Sequence, residues 1–127
     1  MADVAILILR VVLGVVMILH GVYKFRNKSL FDQKWQDDYG FPKGSVLLSG
    51  IVQVACGLAI IAGAFSRFAA LILLLVMLVA TYVSIRKHRE PFLSTPDGKG
   101  WDINFLLIGS LIALIFLGDG KWALAGW

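Results

Sequence analysis

Residues 46–85 read VLLSGIVQVACGLAIIAGAFSRFAALILLLVMLVATYVSI, and this stretch decides the fold. Its single charged residue is Arg67, which together with Ser66 separates two apolar runs. Each run is close to the roughly 20 residues that an α-helix needs to cross the hydrocarbon core of a bilayer. We therefore predict two membrane-spanning helices, over residues 46–65 and 68–85, joined by a tight hairpin.

Two further apolar runs flank this hairpin. Residues 4–23 are interrupted only by Arg10 and His20 and predict a first span, while the shorter run 103–117 predicts a fourth. Most charged residues fall in the connectors 24–45 and 86–102. Aromatic and charged residues alternate in the first connector, which predicts an amphipathic helix lying flat in the membrane interface over part of it. The 127 residues are thus predicted to form one all-α domain, a bundle of four transmembrane helices.

The composition supports a membrane protein and excludes several kinds of site. Hydrophobic residues make up 59% of the chain and charged residues 16%, against about 45–50% and about 25% in soluble domains. The single cysteine, Cys56, lies in an apolar run, so the chain has no intrachain disulfide, CxxC redox pair or cysteine-rich metal cluster. We predict no metal site.

The net charge of +4 comes from basic residues beside the spans, which indicates contact with lipid headgroups rather than nucleic acid. Four spans place both termini on one surface, the terminal side, and both connectors on the other, the connector side. Basic residues concentrate in cytoplasmic loops, so we predict a multi-pass protein of the plasma or inner membrane with cytoplasmic connectors and outward-facing termini. The connectors carry nine basic residues and the terminal side carries two, which supports this orientation. The basic connector residues are Lys24, Arg26, Lys28, Lys34, Lys43, Arg86, Lys87, Arg89 and Lys99, and those of the terminal side are Arg67 and Lys121.

Arg10 lies about two turns inside the first span, where a charged side chain must either pair with another group or reach the membrane surface. One interpretation is that its long side chain reaches the headgroups of the terminal side. The other is a buried structural charge that pairs inside the bundle, with Asp119 or the carbonyls near the turn at residues 118–120 as partners. Small residues share helix faces with polar ones in the first two spans, which predicts close helix packing at Gly14, Gly21, Gly50 and Gly57.

Polar residues from all four helices are expected at the connector side. His20 and Lys24 end the first helix, and Gln53 lies about two turns into the second. Tyr82 lies near the end of the third helix, and Asn104 lies at the beginning of the fourth. Because lone polar groups are costly in hydrocarbon, we predict that they surround a pocket with a polar head and an apolar floor. The candidate ligand-binding residues are His20, Lys24, Gln53, Tyr82 and Asn104.

A quinone fits this donor set, since its two carbonyl oxygens accept hydrogen bonds and its tail can lie between helices. Haem is disfavoured, because the chain has only two histidines and His88 lies in the basic run RKHR. The sequence contains no paired catalytic carboxylates, nucleophile triad or phosphate loop. Whether the protein is an enzyme therefore stays open at this point.

The same residues match the sequence patterns of a known family. Arg10, Gly14, His20, Gly21 and Lys24 match the pattern R-x3-G-x5-H-G-x2-K, and the second span matches G-x2-E-x3-G-x5-G-x3-R through Gly50, Gln53, Gly57, Gly63 and Arg67. The chain resembles the DoxX family of small four-helix membrane proteins along essentially its whole length. It departs from that family at Gln53, where the pattern has a glutamate.

This resemblance implies a membrane subunit that works with redox proteins, because the family takes its name from a small subunit associated with a thiosulfate:quinone oxidoreductase. Our first hypothesis is accordingly a redox-associated subunit that binds a quinone or a similar lipid-soluble molecule. The second is a non-catalytic scaffold that anchors a soluble oxidoreductase or stress-response partner. The third is a small-molecule carrier formed by a homo-oligomer.

Overall fold

The computed structural model describes residues 1–27, 40 and 44–124. Within these ranges the chain forms four α-helices and no β-strand: α1 (Ala2–Arg26), α2 (Ser45–Ala62), α3 (Ser66–Arg86) and α4 (Asp102–Leu117). The first three are long and apolar enough to cross a membrane, whereas α4 has 16 residues and is shorter. The all-α membrane fold predicted from the sequence is confirmed. The interfacial helix predicted in the first connector falls on residues 28–39 and 41–43, outside the described part of the chain.

The hairpin between α2 and α3 begins earlier than the sequence predicted. Helix α2 ends at Ala62 rather than near residue 65, because Gly63 adopts the left-handed conformation (φ 75°). Its N–H donates to the carbonyl of Ile60, and the N–H of Ala64 donates to that of Ala59. A glycine in this conformation is a common way to end a helix. The turn therefore occupies residues 63–65, and Ser66 and Arg67 become the first residues of α3.

The helices form a ring in chain order. Helix α1 packs most extensively on α2, and α3 packs on α4, while weaker α2–α3 and α1–α4 contacts close the ring and the diagonal pairs do not touch. The buried core lies towards the terminal side. Lipid tails are as apolar as leucine, so this core holds the helices by close packing rather than by the hydrophobic effect. Its most buried members are Leu13, Met17, Ile60, Leu73, Leu111 and Leu114.

Two glycine pairs bring the backbones of α1 and α2 together. A Cβ atom added at Gly14 would lie 2.7 Å from the carbonyl oxygen of Gly57, and one added at Gly21 would lie 2.8 Å from that of Gly50. Both distances are shorter than the van der Waals contact distance of a non-bonded carbon and oxygen atom. The pairs are two turns apart in an antiparallel arrangement, so the two helices stay in backbone contact over this length.

The connector between α3 and α4 is folded around Asp102. Its carboxylate accepts hydrogen bonds from the hydroxyl (2.7 Å) and the N–H (3.0 Å) of Ser94 and from the N–H of Ile103 (2.9 Å). The Ser94 hydroxyl, followed by its N–H, lowers the pKa of this carboxyl, which lies at the surface before the apolar run of α4. The carboxylate is thus held at the start of α4, where its negative charge interacts favourably with the positive end of the helix dipole.

Residues 118–124, the terminal cap, fold back across the other end of the bundle. The Asp119 carboxylate accepts a hydrogen bond from the N–H of Ser66 at 3.1 Å, which caps the start of α3. The carboxylate of Asp3 accepts one from the N–H of Lys121 at 3.0 Å. The N–H of Leu124 donates to the carbonyl of Ala62 at 3.2 Å. The terminal cap therefore joins the ends of α1, α2 and α3.

Candidate functional site

Arg10 lies inside the bundle, with 1% of its surface exposed. Its Nε donates to the carbonyl of Ile60 (2.9 Å) and its Nη2 to that of Ile61 (2.7 Å). Its Nη1 donates to the carbonyls of Asp119 (3.0 Å) and Trp122. The guanidinium thus binds backbone oxygens of both α2 and the terminal cap.

These contacts compensate the charge of Arg10 with carbonyl dipoles. Ile60 and Ile61 lie in the last turn of α2, where the helix dipole is negative and the carbonyls lack partners within the helix. Asp119 contributes its backbone oxygen to Arg10, while its carboxylate accepts from Ser66. Arginine suits this position because its planar fork carries five donors. Arg10 therefore links the end of α2 to the terminal cap.

A cavity of about 670 Å³ lies in the opposite, connector-side half of the bundle. We call it the connector cavity. Its volume is within the range of about 300–1,000 Å³ that is usual for small-molecule sites. Its wall contains polar residues (His20, Tyr23, Lys24, Ser45, Ser49, Gln53, Ser84, His88, Lys99 and Asn104) and apolar residues (Leu75, Val76, Met77, Val79, Ala80 and Val83).

Gln53 is the most buried polar residue of this wall, with 2% of its surface exposed. Its Nε2 faces the thioether sulfur of Met17 at 4.0 Å, a long and weak contact. A thioether only accepts hydrogen bonds, so this neighbour orients the amide with its nitrogen towards the sulfur. The other end of the amide, Oε1, has no hydrogen-bond partner among the described residues. A buried polar atom without a partner costs about 1–3 kcal/mol.

Lys24 and His20 lie one turn apart on α1. The Lys24 Nζ donates to the hydroxyl of Ser49 on α2 at 2.7 Å. The Nδ1 of His20 lies 2.8 Å from the carbonyl of Val16. Since a carbonyl only accepts, Nδ1 carries the proton, and Nε2 is an acceptor whenever the ring is neutral. His20 is exposed, and it also contributes to the wall of the connector cavity.

The structure brings four of the five residues proposed from the sequence to one cavity: His20, Lys24, Gln53 and Asn104. Tyr82 is not part of its wall, and 59% of its surface is exposed. On a helix with 100° per residue, Tyr82 lies about 20° from Leu75, which belongs to the wall, so its position on α3 is near the cavity although its exposed side chain is not part of the wall.

The candidates chosen from the sequence do not include six polar residues of the wall, which are Tyr23, Ser45, Ser49, Ser84, His88 and Lys99. Ser49 lies four residues before Gln53, a spacing that places both on one face of α2 and could have revealed it. Lys99 lies in the second connector, and no periodic pattern predicts where a connector folds. At the rim, the Nδ1 of His88 lies 3.5 Å from a carboxylate oxygen of Glu90. In the parts of the chain that the structure describes, no three His, Cys, Asp or Glu residues are grouped as metal ligands.

Comparison with known proteins identifies the family of the chain. The DoxX family model matches residues 5–85, which is more than half of the chain and includes α1, α2 and nearly all of α3. The chain belongs to the DoxX family. The resemblance inferred from the sequence motifs is thereby confirmed. Arg10, His20, Lys24 and Gln53 all lie within the matched region, whereas Asn104 and the terminal cap of this DoxX protein lie beyond it.

A relative of this DoxX protein is an uncharacterized membrane protein of Mycobacterium tuberculosis (strain ATCC 25618 / H37Rv). The two are 27% identical over 130 residues, which cover 94% of this chain and 78% of the relative. No solved structure matches the chain. The likeness supports a membrane protein.

Proposed function

We propose that this DoxX protein binds a quinone, or a similar lipid-soluble molecule with a polar headgroup, in the connector cavity as part of a redox system of the membrane. The observation that carries the proposal is the Gln53 amide, which is buried in the cavity wall with one end unpartnered and the other in weak contact with a thioether. A headgroup that supplies hydrogen-bond partners would recover the free energy lost by burying it.

The residues around Gln53 suit such a headgroup. Lys24 and Asn104 provide N–H donors for carbonyl oxygens, and His20 presents Nε2 as a proton acceptor. When bound, a quinone would supply a two-electron redox couple. The apolar residues of α3, among them Val76 and Val79, would contact the ring and tail. Val79 is 49% exposed, which leaves this side of the cavity open towards lipid.

Binding is expected to depend on Gln53 and His20. We expect Gln53→Leu to weaken binding of a short-tail quinone by about tenfold, because it removes both hydrogen-bonding ends of the amide, and His20→Ala to weaken it as well. Titration of the purified protein in detergent measures both effects. Tyr82→Phe is the matched control, since Tyr82 lies outside the cavity wall, and its affinity should equal that of the wild type. Lack of wild-type binding, or equal affinity in all three variants, would refute the proposal.

The orientation in the membrane belongs to the same proposal. The exposed residues Arg86, Lys87 and Arg89 follow α3 at the connector side, and we place this surface in the cytoplasm, where a soluble redox partner would reach it. A membrane-impermeant maleimide should label Ala2→Cys in intact cells and Lys87→Cys only after the membrane is opened. Cys56 lies within α2 and gives the background, which the unsubstituted protein measures. The reverse labelling pattern would show that the orientation is wrong.

A further inference from the structure

A second cavity, of about 460 Å³, lies at the terminal side, away from the connector cavity. We call it the terminal cleft. It lies between the beginning of α3 and the terminal cap, and its wall is formed by Arg67, Leu117, Gly118, Asp119, Gly120, Lys121 and Ala123. Two of these residues are cationic and one is acidic. Its function is not explained by the packing of the helices.

Arg67 is the unusual member of this wall. Its side chain makes no hydrogen bond or ion pair with any residue that the structure describes, and its Nε is buried without a partner. Arg10, by contrast, donates to four carbonyls. A guanidinium held partly buried without an acceptor loses hydration and gains nothing in return. This arrangement therefore indicates an acceptor other than the residues that the structure describes.

The backbone of the terminal cap is shaped to fit Arg67. A Cβ atom added at Gly118 would lie 2.8 Å from one terminal nitrogen of Arg67 and 3.1 Å from its Nε. Gly118 also has a φ of 80°, which L side chains rarely adopt. The positive φ favours glycine at this position, and the missing side chain lets the guanidinium approach the backbone closely. The guanidinium plane thus lies against the turn that follows α4.

Asp119 does not form an ion pair with Arg67, although both residues lie in the wall of the cleft. Its Oδ1 accepts the N–H of Ser66 at the start of α3, and only 8% of the residue is exposed. Lys121 is exposed and adds a second cation to the wall. Trp122, which follows Lys121 in the chain, is about half-exposed, and tryptophan is enriched in the headgroup layer of membranes. We therefore expect the cleft to lie at the depth of lipid phosphates.

We propose that the terminal cleft binds a phosphate group through Arg67 and Lys121. The planar fork of arginine matches two phosphate oxygens, and the lysine adds a point charge. The phosphate belongs either to an anionic phospholipid or to a soluble phosphate compound. A choline beside the phosphate would bring a positive charge close to both cations, so phosphatidylglycerol should bind better than phosphatidylcholine.

Native mass spectrometry of the full chain, released from phosphatidylcholine nanodiscs containing phosphatidylglycerol, counts the retained lipid. Arg67→Gln should reduce the apparent affinity for phosphatidylglycerol about fivefold, the usual effect of removing one cation near a membrane surface. Lys121→Gln should also reduce it, and because no side-chain bond of Lys121 stabilises the fold, this variant tests the proposal even if Arg67→Gln fails to fold. Lys87→Gln removes the same charge from the opposite surface and should have no effect.

Inorganic phosphate, titrated against the protein in phosphatidylcholine nanodiscs, distinguishes the two sources. Stabilisation by phosphate that is lost in Arg67→Gln would assign a soluble ligand to the cleft, whereas retention of phosphatidylglycerol alone would assign a lipid. Equal retention by the wild type, Arg67→Gln and Lys121→Gln, without phosphate stabilisation, would overturn the proposal. An equal loss in Lys87→Gln would reveal a general charge effect and would overturn it as well.

Discussion

Arg10→Met is expected to lower the free energy of unfolding by about 3–5 kcal/mol. Methionine fills part of the space but has no donor, so the carbonyls of Ile60, Ile61, Asp119 and Trp122 all lose a hydrogen-bond partner. The Ile60 carbonyl keeps the N–H of Gly63. A buried carbonyl left without any partner costs about 1–3 kcal/mol, and part of this loss is recovered if water enters from the nearby surface. Unfolding titrations in mixed detergent micelles measure the change.

Arg10→Lys tests whether stability depends on the positive charge alone or on the planar guanidinium with its several donors. A lysine ammonium is a point charge on a flexible stem and does not reach four carbonyls in two segments at once. We expect a loss about half as large as that of Arg10→Met. Arg86→Met is the control, because Arg86 is exposed at the connector side, and it should change stability by no more than about 0.5 kcal/mol. An Arg10→Met variant as stable as the wild type would show that the terminal cap holds without the guanidinium.

The same substitution should release the terminal cap before the rest of the protein unfolds. The N–H of Leu124 donates to Ala62, next to the carbonyls that Arg10 binds. Hydrogen exchange at this amide should therefore accelerate in Arg10→Met, while exchange at Leu111, in the middle of α4, should change less. Uniform acceleration at both amides would indicate global destabilisation instead.

The sequence left the direction of the Arg10 side chain open and named only part of its partners. The carbonyls near residues 118–120 were among the proposed partners, and that of Asp119 is an acceptor in the structure, whereas those of Ile60 and Ile61 were not foreseen. The acceptors of Arg10 lie 50 to 112 residues away along the chain, and backbone carbonyls are present at every position. Which of them are free depends on where α2 ends, and that end was set by Gly63 rather than by the apolar run.

The connector cavity was predictable to a similar degree. The depth of each polar residue follows from its distance to a helix end, which is why His20, Lys24, Gln53 and Asn104 were placed at one level. Rotation about the helix axis is less certain from sequence, because a helix that is apolar all round gives no preferred face. Helix α3 is of this kind near Tyr82, and there the expectation was not met.

Gly14→Ala is expected to lower the free energy of unfolding by about 1–3 kcal/mol, although alanine favours a helix more than glycine does. The added methyl group would lie 2.7 Å from the carbonyl oxygen of Gly57 and would also overlap the side chain of Ile61. A backbone oxygen cannot move aside as a flexible side chain can. Helices α1 and α2 must therefore separate, which weakens the packing along their whole contact.

Gly109→Ala provides a matched control within the same fold. Gly109 is also inside a helix, α4, but an added Cβ there meets no atom within 4 Å. Only the helix preference remains, so stability should rise by up to about 1 kcal/mol. The two substitutions are chemically identical, and unfolding titrations in one detergent compare them directly. Their opposite signs would result from the contact with α2 alone, whereas equal effects would mean that the glycine pairs do not determine how closely α1 and α2 approach.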